Sequence, residues 1–314
     1  MKKNIFIDGE VGTTGLQVHD RLSKHPNVNI LKVDQSKRKD TVYKKQLLKE
    51  SDVTFLCLPD QIATETVEIA DKLGIDSPII IDASTAHRTK NEWAYGLPEL
   101  GKKYKNKIIE SKRISVPGCY ATGTNVILKP LIENNFLSSQ TPLTINAVSG
   151  YSGGGKDLIN YFKDKKHEPF FNYGLQLNHK HLPEIIFHNE LNYTPIFSPY
   201  VGNFSQGMIV SIPIHFEWFS KPIKTVDVQE VMENFYLSSD FVKVLKKNEG
   251  LNQKGFLRPD HLINTNFLDI SVFGNDNNNQ MIIMSRLDNL GKGASGAAVQ
   301  CMNLALGYEE TLGL

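Results

Sequence analysis

The sequence predicts an α/β protein: a Rossmann-type doubly wound parallel sheet joined to an α+β domain with a mixed sheet. Three observations carry this. Strand-like and helix-like stretches alternate as far as Val116, the pattern of βα units laid into a parallel sheet. The first strand runs straight into glycines at positions 9, 12 and 15 and then into a helical pattern, the order a dinucleotide turn requires. After the helix that follows Cys119, apolar runs lengthen and helices thin out, which predicts a second sheet of different construction. The expected domains are residues 1–118 with 293–314, which carry the glycine turn and the parallel sheet, and 119–292, which carry the second sheet.

The chain of 314 residues is too long for one small core and fits two domains. A hydrophobic content of 40%, a charged content of 22% and a net charge of +1 describe an ordinary soluble domain, not one held to nucleic acid by bulk charge. Cys57, Cys119 and Cys301 are odd in number and widely spaced, without a CxxC. Neither a disulfide framework nor a metal site is expected, and a reducing, cytoplasmic compartment fits. The first apolar run ends at Asp8, too short for a signal segment, and no stretch reaches the length of a membrane span.

Residues 4–8 read as a strand buried on both faces. Leu16, Val18 and Leu22 then share one helical face. Between them the turn at Gly9, Gly12 and Gly15 permits close approach of a pyrophosphate, with the helix N-terminus as donor. The spacing is GxxGxxG, and a tight turn without ligand is the plainer alternative. Residues 28–34 read as the second strand. Asp34 at its end is a candidate for a ribose 2′-OH, while Ser36, Lys37 and Arg38 can hold a 2′-phosphate. NADP is therefore expected; a solvated basic loop is the alternative. Residues 52–59 and 78–82 read as further strands and 61–73 as a helix. Gly9, Pro59, Ser84, Arg88 and Cys119 all fall at C-terminal strand ends, where ligands of such sheets gather.

Cys119 stands between glycines in Pro117-Gly118-Cys119-Tyr120-Ala121-Thr122-Gly123. An apolar run at 114–116, after Ile108 and Ile109, reads as a strand end. Residues 122–128 read as a helix that Thr122 or Thr124 can cap. A cysteine at or just before such a helix start is favoured as thiolate and becomes nucleophilic. A buried cysteine used as a small hydrophobe is the alternative.

Residues 144–149 read as a strand and 150–156 as a flexible glycine-rich loop. Later strands are expected at 208–214, 268–273 and 280–286, with a polar turn at 275–279 between the last two. A helix from Gly293 to Leu306, rich in small residues, is expected to pack back on the first domain. His179 and His181 lie two residues apart. A histidine titrates near neutrality and can move a proton to and from a reacting oxygen. As metal ligands the pair would need His167 or His188 as a third, and two surface histidines on a loop are the plain alternative.

At this point the chain resembles the N-acetyl-gamma-glutamyl-phosphate reductases, in their shorter subfamily. The matching pieces run nearly end to end: FIDGEVGTTGLQ, DASTAHR, WAYGLPEL, PGCYATG, VSGYSGGGK, NHKHLPEI, GNFSQGM and RLDNLGKGASGAAVQ. Aspartate semialdehyde dehydrogenases are wider relatives with the same two-domain plan and a catalytic cysteine. The resemblance implies NADPH-dependent reduction of an acyl phosphate to a semialdehyde through a thioester on Cys119, in arginine biosynthesis. It implies His179 or His181 as acid–base, with His179 preferred. Cofactor contacts are expected from Gly9, Gly12, Thr13, Thr14, Gly15, Ser36, Lys37, Arg38, Pro59, Ser84, Gly150 and Asn289. Substrate contacts are expected from Arg88, Glu99, Ser149, Gly150 and Glu184, with Arg88 meeting the phosphate. A homodimer or homotetramer is implied, with no nucleic-acid or membrane partner. Action on another acyl phosphate, such as aspartyl phosphate, and a non-catalytic NADP sensor are the competing readings.

Overall fold

The protein, in a computed structural model that describes residues 1–164 and 168–314, divides into two compact units. His167 lies outside the described residues. The first unit comprises Met1–Pro117 and Ala294–Leu314, the second Gly118–Gly293.

The first unit alternates β1 (Lys3–Asp8), α1 (Thr13–Ser23), β2 (Val28–Ile30), α2 (Thr41–Glu50), β3 (Val53–Leu56), α3 (Asp60–Asp71), β4 (Ile79–Asp82), β5 (Ala94–Tyr95), α4 (Lys102–Glu110) and β6 (Arg113–Ser115). The strands lie in the order β2-β1-β3-β4-β6-β5, every pair parallel. Successive strand residues serve opposite faces. Ile5 and Ile7 pack with Val18 and Leu22 of α1 and Ile108 of α4, whereas Phe6 packs with Leu47 and Leu48 of α2 and Ala63 and Val67 of α3. Both faces are covered, so the strands read as unbroken apolar runs, and each such side chain contributes roughly 1.5–3 kcal/mol on burial.

One expectation is corrected here. The second strand ends at Ile30, because the chain beyond it turns on itself: the Ser36 N–H and hydroxyl donate to Asp34, and the Lys37 N–H donates to the Asp34 carbonyl. Such local bonds compete with sheet pairing. Ile108 and Ile109 belong to α4, with Ile108 facing the core and Ile109 solvent, and the strand after them is β6.

The second unit contains α5 (Cys119–Glu133), β7 (Thr144–Gly150), α6 (Gly155–Asp164), β8 (Phe170–Asn172), α7 (Leu182–Asn189), β9 (Ile196–Gly202), β10 (Met208–His215), α8 (Thr225–Tyr236), β11 (Val242–Val244), β12 (Leu268–Asn275) and β13 (Gln280–Leu287). Its sheet runs β11-β12-β13-β10-β7-β9-β8. The pairs β11/β12 and β7/β9 are parallel and the rest antiparallel, so the sheet is mixed as expected. Helix α5 lies on this sheet where Gly123 lets it approach closely: a Cβ there would sit 2.7 Å from the Ser285 hydroxyl and from Val210. The Ser285 hydroxyl donates to the Gly123 carbonyl at 2.8 Å. The chain then returns to the first unit as α9 (Gly296–Ala305), whose Ala297, Ala298, Val299 and Met302 join the core beside α1.

Three further readings change. Helix α5 starts at Cys119, earlier than expected, with Gly118 as its N-cap in extended conformation. Thr122 and Thr124 do not cap it; their hydroxyls donate back to the carbonyls of Gly118 and Tyr120, an option short hydroxyl side chains have inside a helix. The stretch 150–156 is not a flexible loop. The N–H groups of Gly150, Tyr151 and Ser152 donate to the carbonyls of Gly207, Phe204 and Ser205, and a 3₁₀ turn at Tyr151–Gly154 leads into α6. Finally, α9 begins at Gly296, after a π-helical turn at Gly291–Ser295.

Candidate active site and dinucleotide turn

The turn between β1 and α1 needs its glycines for space. Gly9 has φ +92, and a Cβ there would lie 2.3 Å from the Cys57 carbonyl oxygen. A Cβ on Gly15 would lie 2.2 Å from the Gly9 carbonyl oxygen. Gly12 is the N-cap of α1 and provides no side-chain cap. The N–H groups opening the helix at Thr13 and Thr14 lie where an anion is favoured. Beside the turn is a cavity of about 610 Å³ lined by Gly9, Tyr43, Leu58, Ile62 and the cations Arg38, Lys39 and Lys44, among others. A cradle that excludes side chains, an uncapped helix start and a cation-bearing cavity with apolar walls together fit a dinucleotide.

Of the trio predicted to hold a 2′-phosphate, Arg38 lines this cavity. Ser36 instead bonds Asp34, holding that carboxyl below its usual range, and Lys37 lies 4.0 Å from the same carboxylate. Lys39 and Lys44, which the sequence reading did not single out, also line the cavity. Lys44 pairs with Asp8 at 2.8 Å and donates to Thr66. Pro59 is the N-cap of α3.

After β4 the buried Asp82 carboxylate organises the loop that carries Ser84 and Arg88. It accepts from the Ser84 N–H at 2.9 Å and the Ser84 hydroxyl at 2.6 Å, and it bonds His87 Nδ1 at 2.6 Å. His87 is stacked on Trp93. Arg88 is 7% exposed and donates to the Ala83 carbonyl, so it is not a surface arginine. Glu99, in the short turn Pro98–Leu100, accepts from Gln300 of α9 at 2.8 Å.

The three cysteines occupy different chemistry. Burial, aided by the charges of Asp82 and Asp8, pushes the Cys57 thiol up to about 12. Cys301 is buried and donates to the Gly96 carbonyl. Cys119 is partly exposed and is the first residue of α5, where the backbone favours negative charge on sulfur.

Cys119 is closely flanked within the second unit. A Cβ on Gly118 would sit 2.3 Å from His181 Nε2, so the imidazole lies directly on the residue before the cysteine. A Cβ on Gly293 would sit 2.6 Å from Cys119 Cβ, so the π-helical turn closes on the other side. Glu184, buried in the first turn of α7, accepts the Gly118 N–H at 3.1 and 3.3 Å. His179 Nδ1 accepts the backbone N–H of His181 at 3.1 Å, and its Nε2 lies 3.3 Å from the Tyr173 hydroxyl. Burial, with Lys180 adding to it, lowers His179 to about 4, so its ring is neutral near pH 7.

Tyr120 packs edge-on against His179 and Phe197. Burial raises its phenol well above the ordinary value and pushes the Tyr173 phenol up to about 12. Both remain protonated donors near neutrality. The buried Ser149 donates to the Gly150 carbonyl. Asn289 accepts the Gly207 N–H at 2.8 Å and donates to the Ser152 hydroxyl at 3.0 Å, tying the glycine-rich segment down. Tyr173 and Gly293 escaped the sequence reading. Gly293 stood inside a quoted motif, but nothing local marks it as the neighbour of Cys119.

Among the described residues no group of three histidine, cysteine or acidic side chains is arranged to hold a metal, and no helix is long and apolar enough to cross a membrane.

Residues 4–108 match the family model described as semialdehyde dehydrogenase, NAD binding domain, and residues 119–289 the semialdehyde dehydrogenase dimerisation domain. The chain is 44% identical to N-acetyl-gamma-glutamyl-phosphate reductase 2 of Nostoc sp., over 100% of this chain and 99% of that protein. It is 40% identical to N-acetyl-gamma-glutamyl-phosphate reductase of Brucella ovis, over 98% of this chain and 100% of the relative. Among solved structures it is similar to aspartate semialdehyde dehydrogenase II of Vibrio cholerae, with a TM-score of 0.70 at 14% identity, covering 98% of this chain and 99% of the other. It is also similar to the Candida albicans aspartate semialdehyde dehydrogenase with NADP, with a TM-score of 0.66 at 13% identity, covering 97% and 98%. These structural likenesses are at the level of fold; the family models and the full-length identities place the chain in the semialdehyde dehydrogenase family, among the N-acetyl-gamma-glutamyl-phosphate reductases.

Proposed function

We propose that this chain reduces N-acetyl-gamma-glutamyl phosphate to N-acetylglutamate 5-semialdehyde and phosphate with NADPH, a cytoplasmic step of arginine biosynthesis. The observation that carries the reading is Cys119 at the start of α5, flanked by His181 and Gly293, in a chain similar throughout its length to the reductases.

The Cys119 thiolate attacks the acyl carbonyl, the bond from carbon to the phosphate oxygen breaks, and a thioester remains. When bound, the nicotinamide cofactor supplies hydride to the thioester carbon. The resulting oxyanion is met by first-turn N–H groups of α5, for which Tyr120 and Ala121 are the candidates. The N–H of Gly118 is already held by Glu184. A proton goes to and from the tetrahedral oxygen as the carbon–sulfur bond breaks to give aldehyde and thiolate. For this we favour His181 over His179. The His181 ring lies on Gly118, whereas the His179 ring is neutral and bonded at both nitrogens. Arg88 is proposed for the phosphate, since a guanidinium suits its oxygens. Arg38 and Lys39, lining the cavity beside the glycine turn, support NADP over NAD. A homodimer or homotetramer is proposed on the match to the dimerisation domain.

The test is NADP reduction by the purified protein with N-acetylglutamate semialdehyde and phosphate. The reading expects strict phosphate dependence and a higher kcat/KM than with aspartate semialdehyde. A preference for aspartate semialdehyde overturns the substrate, and no turnover of either overturns the enzyme.

A further inference from the structure

We infer that Glu184 is a positioning residue: by holding the N–H of Gly118 it sets the start of α5 and, with it, the sulfur of Cys119. The inference rests on the reading of Cys119 as the nucleophile. Glu184 is 1% exposed, and both its carboxylate oxygens reach the Gly118 N–H, at 3.1 and 3.3 Å. Gly118 is the N-cap of α5. Its carbonyl enters the helical ladder, accepting from the Thr122 N–H at 2.8 Å, but an N-cap N–H points away from that ladder.

The same stretch grips Gly118 a second time. His181, three residues before Glu184 and N-cap of α7, lays its ring on the glycine, and His179 holds the backbone N–H of His181. Farther along, α7 and α5 are pinned by Asn189 donating to Asn125 at 2.7 Å and by Lys129 donating to the His188 carbonyl at 3.2 Å. The nucleophile's helix is thus registered against α7, with Glu184 holding the glycine that precedes the cysteine.

Electrostatics separates positioning from activation. A buried carboxylate is costly, and an ionised acceptor makes a strong, directional bond to an amide. Aimed at the start of α5, its negative charge opposes a thiolate there, so it does not serve to acidify Cys119. A misplacement of about 1 Å can cost roughly a hundredfold in rate, which is the effect the contact prevents.

The experiment compares Glu184→Gln with Glu184→Ala. The readouts are kcat, the KM for semialdehyde and phosphate, thermal unfolding, and the pH dependence of Cys119 alkylation by iodoacetamide, located by mass spectrometry. Gln keeps an oxygen for the Gly118 N–H, so kcat should stay within about threefold, and the alkylation profile should hold or move to lower pH as the opposing charge goes. Ala removes the acceptor, so kcat should fall about a hundredfold with both KM values within about twofold. If the Ala protein does not fold, Glu184→Asp, too short to reach, takes its place with an expected loss of about tenfold. Equal losses in Gln and Ala overturn the inference, because the charge itself would then act. A steep rise in either KM with kcat kept also overturns it, because Glu184 would then bind substrate. Cys119→Ser is assayed alongside: activity retained there sinks the nucleophile reading itself.

Discussion

Helices α1 and α5 open in the same way and are finished differently. Each has a glycine N-cap in extended conformation, φ −76 at Gly12 and −72 at Gly118, and neither cap uses a side chain of its own. At α1 the neighbouring glycines let backbone pack on backbone, and no side chain caps the helix start. At α5 protein side chains close in: an imidazole covers the glycine and a carboxylate takes its N–H. One helix start is bordered by its own backbone, as the proposed cofactor turn requires; the other is enclosed by side chains around Cys119. A glycine N-cap alone is therefore not a ligand site, and what surrounds it decides.

The largest effect should follow removal of that sulfur. Cys119→Ser should lower kcat at least about a thousandfold while cofactor affinity, read by fluorescence titration, stays within about twofold. Activity within tenfold of the parent would mean that α5 is not the reacting helix. Exchanging the glycines comes next. Gly118→Ala meets His181, and turnover should fall about a hundredfold with cofactor binding kept. Gly9→Ala meets the Cys57 carbonyl at an unfavourable φ, so cofactor affinity should collapse and stability should fall by about 1–3 kcal/mol. If both variants lose the cofactor equally, the two helix starts do not differ as described.

Smaller is the effect of Arg38→Ala with Lys39→Ala. NADPH affinity should weaken by about tenfold or more relative to NADH, since charge-assisted contacts contribute roughly 1.5–3 kcal/mol each. An equal loss for both cofactors would place the 2′-phosphate elsewhere. The smallest effect concerns His179→Asn. The folded ring binds a proton only near pH 4, whereas an unfolded one does so near 6.5. Between these values the unfolded chain takes up a proton that the folded one refuses, so stability present above pH 6.5 is lost as pH falls toward 4. The variant should show a shallower decline of Tm across that window, with kcat at pH 7 within about threefold of the parent. A loss of kcat of about a hundredfold or more would return the acid–base role to His179.

What the sequence made legible follows from how far each signal reaches. The parallel sheet was readable because burial on both faces writes continuous apolar runs, and glycines 9, 12 and 15 because turn and helix are contiguous. Cys119 was readable because strand, glycine and helix meet within a few residues. The grip of Glu184 on Gly118 spans 66 positions, and the closure of Gly293 on Cys119 is longer still; no local pattern encodes either. His179 and His181 look alike in sequence, two residues apart on one short stretch, and only their ring partners distinguish them. The glycine-rich segment at 150–156 looked loose because the carbonyls that hold it come from beyond residue 203.

The path of the chain has a consequence in time. The first unit is interrupted: α9, which lies in its core with Ala297, Ala298, Val299 and Met302, is separated from the rest by the whole second unit, residues 118–293. At synthesis rates of about 5–20 residues per second, the sheet made first waits roughly ten to thirty-five seconds before its last covering helix emerges. Through that interval one apolar face lacks part of its cover, although the second unit can already complete its own sheet. A nascent chain arrested before Ala294 should therefore expose a sticky, half-roofed sheet and recruit chaperones, and release of the remaining twenty-one residues, 294–314, should dismiss them.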